Sequence, residues 1–559
     1  MSYVHLFSPS AIGGVEMRNR VVLPSMTTRL ATPSGEVTPE LVSYYQERAR
    51  GGCGLVIVEM ASPQRRGRHR GRELGIDSDE YIPGLRSLVA AIHEQGARAG
   101  IQLGHGGARA LPTELGGRPL AATAGPVAVF ETARFVNFPE LFDEDSLEQL
   151  VVDHVAAARR AEEAGFDMIE LHGAHGYLLA QLISADENQV LPNAAARYDF
   201  LASLVRRIVE AVGIPLSYRL SGQDYYSAGQ TVDDSLAFLP YLENAGVAAV
   251  SVTGGHYKSV DPEIMIPPMP YEDGVFLDAA RAVKARTRLP VIAVGRVNAP
   301  AVAEDALAQG WADFVAVGRG QIADPHWARK TQQHLQVREC LACNHCVRTM
   351  RSGQQLACAV NPTVTTTDRP ATRTAPQRRL VFGAGPAGLT YAMESARAGH
   401  EVYVIARDRT WKAAAAPTFN GYRPDRQRMH RYFDGLWREA VDAGVHIAPE
   451  GEREPPPEWR TNVDVVADAR GATYVGNLGP LVRILIRVLS RVPLPKRLMK
   501  SDRLHHILLY DLRNPRMKEP TRIPGARTIK IGDAAQPGEL AAAVHDAYIQ
   551  AWKEHSDDQ

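Results

Sequence analysis

The first 330 or so residues repeat one pattern. A short apolar run closes on a polar or glycine-rich turn, and a stretch with apolar residues at helical spacing follows. The runs are 21–24, 55–59, 100–103, 168–172, 216–221, 249–253, 291–295 and 314–318. Each is apolar at successive rather than alternate positions, which marks a strand buried on both faces. Between them, 82–95 places Leu85, Leu88, Val89 and Ile92 on one helical face, and 199–212 repeats the design. Continuous apolar strands alternating with amphipathic helices predict a parallel sheet covered on both sides. Eight such units in this length predict a closed (β/α)8 barrel; an open doubly wound sheet is the alternative.

Beyond the barrel the texture changes. The polar stretch 363–379 reads as a linker. Leu380-Val-Phe-Gly383-Ala-Gly385-Pro-Ala-Gly388 is then a strand running into a glycine-rich turn and a helix, with a second strand at 401–405. This is the βαβ start of a dinucleotide-binding fold. Residues 410–462 are polar, Pro-rich and weakly patterned, 481–500 are apolar and basic, and 526–533 leads into a closing helix. The expected organisation is a barrel at 1–335, a cysteine-bearing segment at 336–365, a linker at 366–379 and a Rossmann-like domain at 380–559.

Composition narrows the class. Lys+Arg and Asp+Glu are both 63, so the net charge is zero, which argues against a general nucleic-acid binder. With 45% hydrophobic and 23% charged residues the chain is an ordinary globular one. No apolar stretch is long enough to predict a transmembrane helix, and the first residues carry no leader pattern. A cytoplasmic protein acting on a small molecule, and a homo-oligomer, are expected.

Five cysteines are present, and four of them, Cys340, Cys343, Cys346 and Cys358, fall within 19 residues. A disulfide framework is not expected in a large chain without a secretion signal. C-x2-C-x2-C with a fourth cysteine downstream supplies the four thiolates of a [4Fe–4S] cluster. A four-cysteine zinc site is the alternative, although such sites more often come as two separated C-x2-C pairs. Cys53 stands alone in an apolar stretch and reads as a small core residue.

In a barrel, chemistry sits at the C-terminal ends of the strands. Those ends carry Pro24-Ser25-Met26-Thr27, then Gln102 and His105, then His172-Gly-Ala-His175-Gly-Tyr177, then Arg219, Gly295-Arg296 and Gly318-Arg319. Two Gly-Arg pairs on the last two strands suit a phosphate, with backbone N–H groups approaching through glycine and arginine supplying charge. Gln102 offers a donor and an acceptor to a flat heterocycle. Together they point to FMN.

Asn19-Arg-Val-Val-Leu-Pro-Ser-Met-Thr, Ile101-Gln-Leu-Gly-His, Glu170-Leu-His-Gly-Ala-His-Gly-Tyr-Leu and the two Val-Gly-Arg motifs, in that order, resemble the Old Yellow Enzyme family of FMN barrels. The resemblance implies that Met26, Thr27, Ala61, Gln102, Arg219, Arg296 and Arg319 line the flavin. It implies that His172 and His175 bind an electron-withdrawing substrate oxygen and that Tyr177 protonates the α-carbon while hydride reaches the β-carbon. Imidazole donors suit a developing enolate, and a phenol suits protonation of a carbanion-like centre. The chain departs from that family in a shortened loop after Ser184 and in Ala108, where many relatives carry Arg.

The cysteine segment directly after the barrel resembles the long, iron–sulfur branch of the family, which includes 2,4-dienoyl-CoA reductase and trimethylamine dehydrogenase. Ile531-Gly-Asp533-Ala-Ala is similar to a second FAD signature. The acidic residue expected to hold the adenosine ribose is replaced by Ala406, and the later Ala-Thr-Gly element is Ala469-Arg470-Gly471. The interval from Gly471 to Asp533 is shorter than the roughly 100 residues of an ordinary domain, so no separate NAD(P)H-binding domain is expected there. The lobe is then expected to hold FAD, ADP alone, or nothing. Arg483, Arg487 and Arg491 form an i, i+4 stripe that reads as the solvated edge of a helix, or as a docking face for an acidic electron carrier or membrane surface. The expected function is reduction of an activated C=C bond. The alternatives are an amine dehydrogenase or N-demethylase passing electrons out through the cluster to a ferredoxin or electron-transfer flavoprotein, and an electron-transfer or scaffold subunit.

Overall fold

The computed structural model describes residues 2–111, 117–128, 136–365, 375–406, 425–449, 451–474, 513–514, 523–536 and 538–553. The basic stretch with Arg483, Arg487 and Arg491 lies outside them. The chain divides into two compact units. One is Met1–Val337 with Cys346–Leu356 and Val364–Thr367; the other is Arg338–His345, Ala357–Thr363 and Asp368–Gln559. The expected segment 336–365 is thus shared between the units.

The first unit is a closed barrel of eight parallel strands: β1 (Val21–Leu23), β2 (Leu55–Ala61), β3 (Arg98–Leu103), β4 (Met168–Gly173), β5 (Leu216–Ser221), β6 (Ala249–Thr253), β7 (Val291–Val294) and β8 (Phe314–Ala316). Closure, with β8 pairing to β1, excludes the open sheet. All residues of β2, β4, β5 and β6 are buried, which is why these strands read as continuous apolar runs.

The barrel interior is layered by polarity. Val22, Leu55, Ile57, Met168, Ala249, Ile292 and Phe314 form an apolar cluster, to which the hairpin Ser10–Ile12/Val15–Met17 adds Ile12 and Met17. Towards the other end of the barrel strands the buried residues turn polar: Gln102, Glu170, His172, Arg219 and Ser251. The apolar layer holds the barrel closed, and the polar layer above it floors a site.

Helix starts follow local capping chemistry. Asp143 and Ser146 form a capping box on Glu144–Glu163, and Thr231 and Asp234 form one on Val232–Asn244. The helix expected at 199–212 begins earlier, at Ala194, because the Asn193 side chain accepts the Ala196 N–H.

Two histidines outside the strands are buried as neutral groups. Burial pushes His105 down to about 3 and His154 down to about 4. The Nε2 atom of each lacks a hydrogen-bond partner. In the unfolded chain both protonate near pH 6.5, so the unfolded state binds more protons between that pH and their folded values. The melting temperature is therefore expected to fall steadily as pH drops from 6.5 towards 4. An unchanged melting temperature in calorimetry over that window would contradict this assignment.

The second unit carries a five-stranded parallel sheet of β9 (Arg378–Phe382), β10 (Glu401–Ile405), β11 (His446–Ile447), β12 (Val465–Asp468) and β13 (Arg527–Lys530). Its order is β11-β10-β9-β12-β13. The chain therefore reverses direction across the sheet at β9/β12, the crevice where such folds receive a nucleotide. No helix among the described residues is long and apolar enough to cross a membrane.

Candidate active site

Above the polar layer the barrel opens into a cleft that encloses about 1250 Å³, part of it open to solvent. Ser25, Met26, Thr27, Gln102, His172, His175, Tyr177, Arg219, Gly295, Arg296, Gly318 and Arg319 all line it. Ala61, the last residue of β2, is fully buried, and Met60 lines the cleft instead.

The floor is one hydrogen-bonded chain fixed by strand register. Gln102 on β3 lies opposite Glu170 on β4, and His172 lies opposite Arg219 on β5. Ser25 Oγ donates to Gln102 Oε1 (3.0 Å), and Gln102 Nε2 donates to Glu170 Oε1 (2.7 Å). Ser251 Oγ donates to Glu170 Oε2 (2.5 Å). The carboxylate therefore fixes which way the Gln102 amide faces. Arg219 Nη1 sits 4.0 Å from Glu170 Oε1 and donates to the Ser25 carbonyl at 3.5 Å. The buried Arg219 Nε has no hydrogen-bond partner, a donor aimed at something the protein does not itself supply.

The far wall suits a close backbone approach. Gly295 has φ +130°, and a Cβ there would lie 2.3 Å from the Phe276 ring. A Cβ on Gly318 would lie 2.9 Å from Met26 Sδ. Arg319 Nη2 donates to the Pro267 carbonyl (2.8 Å). Arg296 is turned to the protein: Nε bonds Asp273 (2.9 Å), Nη2 bonds the Met269 carbonyl (3.3 Å) and Nη1 bonds the Pro268 carbonyl. Both arginines thus hold the 267–269 segment as a wall of the cleft. An amide-presenting floor, a buried unpartnered guanidinium donor and two side-chain-free backbone approaches fit FMN.

Three aromatic groups meet on one wall. The His172 ring centroid is 5.2 Å from that of His175 and 5.0 Å from that of Tyr177, both edge-on. Burial, reinforced by His175, Arg219 and His69, keeps His172 neutral. Its Nδ1 accepts the Ala174 N–H (3.3 Å), so the ring proton resides on Nε2, as a donor needs. His175, at φ +61°, pairs its Nε2 with Thr253 Oγ1 at 3.2 Å, and burial keeps it neutral as well.

Sequence reasoning did not single out four groups that surround this wall. The Tyr257 hydroxyl lies 3.0 Å from that of Tyr177. His69 packs edge-on against Tyr177 at 4.9 Å, and its Nδ1 is held by Glu73 at 2.6 Å. Arg70 follows His69 into the cleft. Arg109, beside Ala108, stacks over Tyr257 at 4.9 Å and bonds Glu187 (3.2 Å) in the shortened loop. Glu187 is buried, yet Arg109, His256 and Lys258 hold it ionised, well below the usual carboxylate range.

None of the four thiols is in a disulfide; Cys343, Cys346 and Cys358 are buried and Cys340 is partly so. Among the described residues, no group of three or more His, Cys, Asp or Glu is placed to hold a single metal ion. Ala342 and Asn344, either side of Cys343, have φ +50° and +52°, a left-handed conformation uncommon for non-glycine residues. The Ala342 N–H points at Cys340 Sγ, 3.4 Å away. Such turns gather N–H groups around anionic centres, iron–sulfur sites among them. Cys53 is a buried core thiol, and burial pushes it up to about 12.

In the second unit Gly383 (φ +112°) and Gly388 are sterically obligatory. A Cβ at either would lie 2.5 Å from the Ala469 carbonyl and 1.8 Å from the Gly383 carbonyl, respectively. Gly385 caps the helix Pro386–Arg397. Ala406, at the end of β10, is buried. Asp533 Oδ1 accepts the Gly538 N–H (3.1 Å), and Arg470 forms a two-pronged pair with buried Asp468 at 2.8 Å on each prong.

Residues 5–338 match the NADH:flavin oxidoreductase / NADH oxidase family. The NADH oxidase of Thermoanaerobacter brockii is 35% identical over 463 residues, covering 80% of this chain and 69% of that protein. Among solved structures, 2-naphthoyl-CoA reductase in complex with 2-naphthoyl-CoA superposes with a TM-score of 0.84 at 21% identity, over 99% of each chain. Histamine dehydrogenase from Rhizobium sp. 4-9 does so with 0.83 at 21%, over 100% of this chain and 97% of that one. At this identity the two structures establish a shared fold.

Proposed function

The chain belongs to the NADH:flavin oxidoreductase / NADH oxidase family of FMN barrels, and from that premise we propose that it reduces the C=C bond of an α,β-unsaturated carbonyl compound. The observation that carries this reading is the edge-on meeting of His172, His175 and Tyr177 on one wall of the cleft. FMN, held by Gln102, Arg219 and Arg319, supplies hydride when bound. His172 presents Nε2–H to the substrate oxygen, where negative charge grows as the β-carbon is reduced. His175, kept neutral and tied to Thr253, shares that wall. Tyr177 keeps its proton, because burial and the neighbouring Tyr257 raise it well above the ordinary phenol value, and it gives that proton to the α-carbon.

The fold is common to a reductase and an amine dehydrogenase, so the choice rests on the cleft. A cationic amine calls for carboxylates or an aromatic bowl. Among the described residues, the lining includes no Asp, Glu or Trp, which favours the reductase. The cysteines are proposed to hold a [4Fe–4S] cluster that exchanges electrons with the barrel flavin. The nucleotide lobe is proposed to take FAD or ADP, and a ferredoxin or electron-transfer flavoprotein is the proposed outside carrier.

Anaerobic mixing of the reduced holoenzyme with enones, enoyl thioesters and tertiary amines tests the reading. Rapid flavin reoxidation by an enone or enoyl thioester is expected. Oxidised enzyme bleached by an amine, or no turnover of any small molecule, would replace it with the dehydrogenase or the scaffold reading.

A further inference from the structure

Within the second unit, the helix Arg426–Asp442 is tied to the start of the cysteine segment, Arg338–His345. Arg428 Nη1 donates to the Cys340 carbonyl (3.1 Å), and Arg431 grips Glu339 with two bonds of 2.8 Å each. Glu439 accepts from Arg338 Nε (3.3 Å), and Arg338 Nη1 donates to the Val360 carbonyl (3.3 Å). Positions 428, 432 and 439 are four and seven residues apart and share one face of the helix. Tyr432 is therefore turned to the segment that Arg428 and Glu439 hold. It is 2% exposed, and its hydroxyl has no hydrogen-bond partner among the described residues. Burial pushes this phenol up. Arg338 acts against the rise, while Glu439, Cys358 and Cys343 add to it, so the phenol keeps its proton and stays a donor. A buried donor without an acceptor is costly to keep, and Tyr432 stands beside two of the proposed cluster ligands.

We infer that the Tyr432 hydroxyl donates a hydrogen bond to a sulfur on the Cys343 and Cys358 side of the [4Fe–4S] cluster and so raises the cluster's reduction potential. An added electron puts one more negative charge on the cluster. An O–H aimed at sulfur stabilises that charge more than it stabilises the oxidised form. Exclusion of water around a buried phenol strengthens the effect. The couple takes up one electron, no bond breaks, and Tyr432 keeps its proton in both states. The Ala342 N–H faces Cys340 Sγ, so the two donors serve different cysteines. The inference rests on the cluster proposed above and adds a residue that tunes it. The competing reading is a Tyr432 that only fills space beneath the helix; that role needs the ring and not the oxygen.

The test is a reductive titration of the anaerobically purified holoenzyme, with the cluster followed by electron paramagnetic resonance. Tyr432→Phe keeps the ring and removes the donor. Its iron and sulfide are expected to match the wild type. The equilibrium constant for one-electron reduction of its cluster should fall about tenfold, a shift of ~59 mV to lower potential. Double-resonance spectra of the reduced wild type should show an exchangeable proton coupled to the cluster that is lost in Tyr432→Phe. Replacing Tyr432 by 3-fluorotyrosine keeps the ring and strengthens the donor, so the potential should rise. A potential that does not move, or a coupling that persists, in Tyr432→Phe with its full iron and sulfide overturns the inference and leaves the cluster reading intact. If Tyr432→Phe fails to retain the cluster, the fluorinated protein decides alone, and no rise in its potential overturns the inference. Zinc, or no iron and sulfide, in the wild type overturns the cluster reading and the inference with it.

Discussion

Replacing Tyr177 by Phe is expected to leave reduction of the enzyme by NADH nearly intact and to slow reoxidation by an enone ~10²–10⁴-fold, the usual cost of losing a general acid. The substitution removes one oxygen and keeps the ring, so the edge contacts to His69 and His172 at 4.9 and 5.0 Å survive. What disappears is the proton and its link to Tyr257. That link, 3.0 Å between hydroxyls, places a second phenol where it can return a proton to Tyr177 after each turnover. Arg109, stacked on Tyr257 and anchored by Glu187, holds the second phenol in position. Tyr257→Phe should therefore slow the same half-reaction by a smaller factor. His172→Ala should act differently, weakening the binding of enones and phenols by removing a donor to the oxygen. Stopped-flow traces of the two half-reactions separate these outcomes. Unchanged enone reoxidation in Tyr177→Phe would remove this residue from its role.

The barrel was legible in the sequence because burial on both faces leaves an unmistakable trace. All eight runs coincide with strands, since a strand enclosed by the helices and its own barrel has no solvent side to carry polar residues. Helix limits were less legible. Asn193 starts its helix five residues before the apolar period becomes visible, because a cap is a single side-chain contact rather than a periodicity. The site divides in the same manner. Residues in or just beyond a strand, such as Gln102, His172 and Arg219, could be read because position along the strand dictates direction. Arg70 could not, because it lies nine residues beyond the end of β2 and only the folded loop returns it to the cleft. Tyr257 follows β6 closely, but its partnership with Tyr177 spans 80 residues and has no local signature. Arg109 and Glu187 pair across 78 residues and are equally silent in the sequence.

Cys343→Ala is expected to abolish the bound iron and sulfide, about four of each per chain before the change, while the protein keeps FMN. The reasoning begins with spacing. Three cysteines with two residues between neighbours and a fourth downstream would supply the four thiolates a cluster needs, and four of the chain's five cysteines fall within this segment. The backbone adds an independent reason. Ala342 and Asn344 are held at positive φ on either side of Cys343, a strain that a bare loop has no cause to keep, and the Ala342 N–H is turned towards Cys340 Sγ. FMN should stay because Gln102, Arg219 and Arg319 belong to the barrel strands and the turns after them, away from this turn in the sequence. NADH should also still reduce the variant. The interval from Gly471 to Asp533 is shorter than an ordinary domain, so no separate nicotinamide-binding domain is expected there and a nicotinamide is expected to meet the barrel flavin directly. A ferredoxin or electron-transfer flavoprotein should instead fail with the variant. Metal and sulfide analysis of anaerobically purified protein, followed by rapid-mixing reduction with each donor, decides the matter. One zinc and no sulfide would end the cluster assignment, and NADH reduction that collapses with the cluster would show that electrons enter by another route.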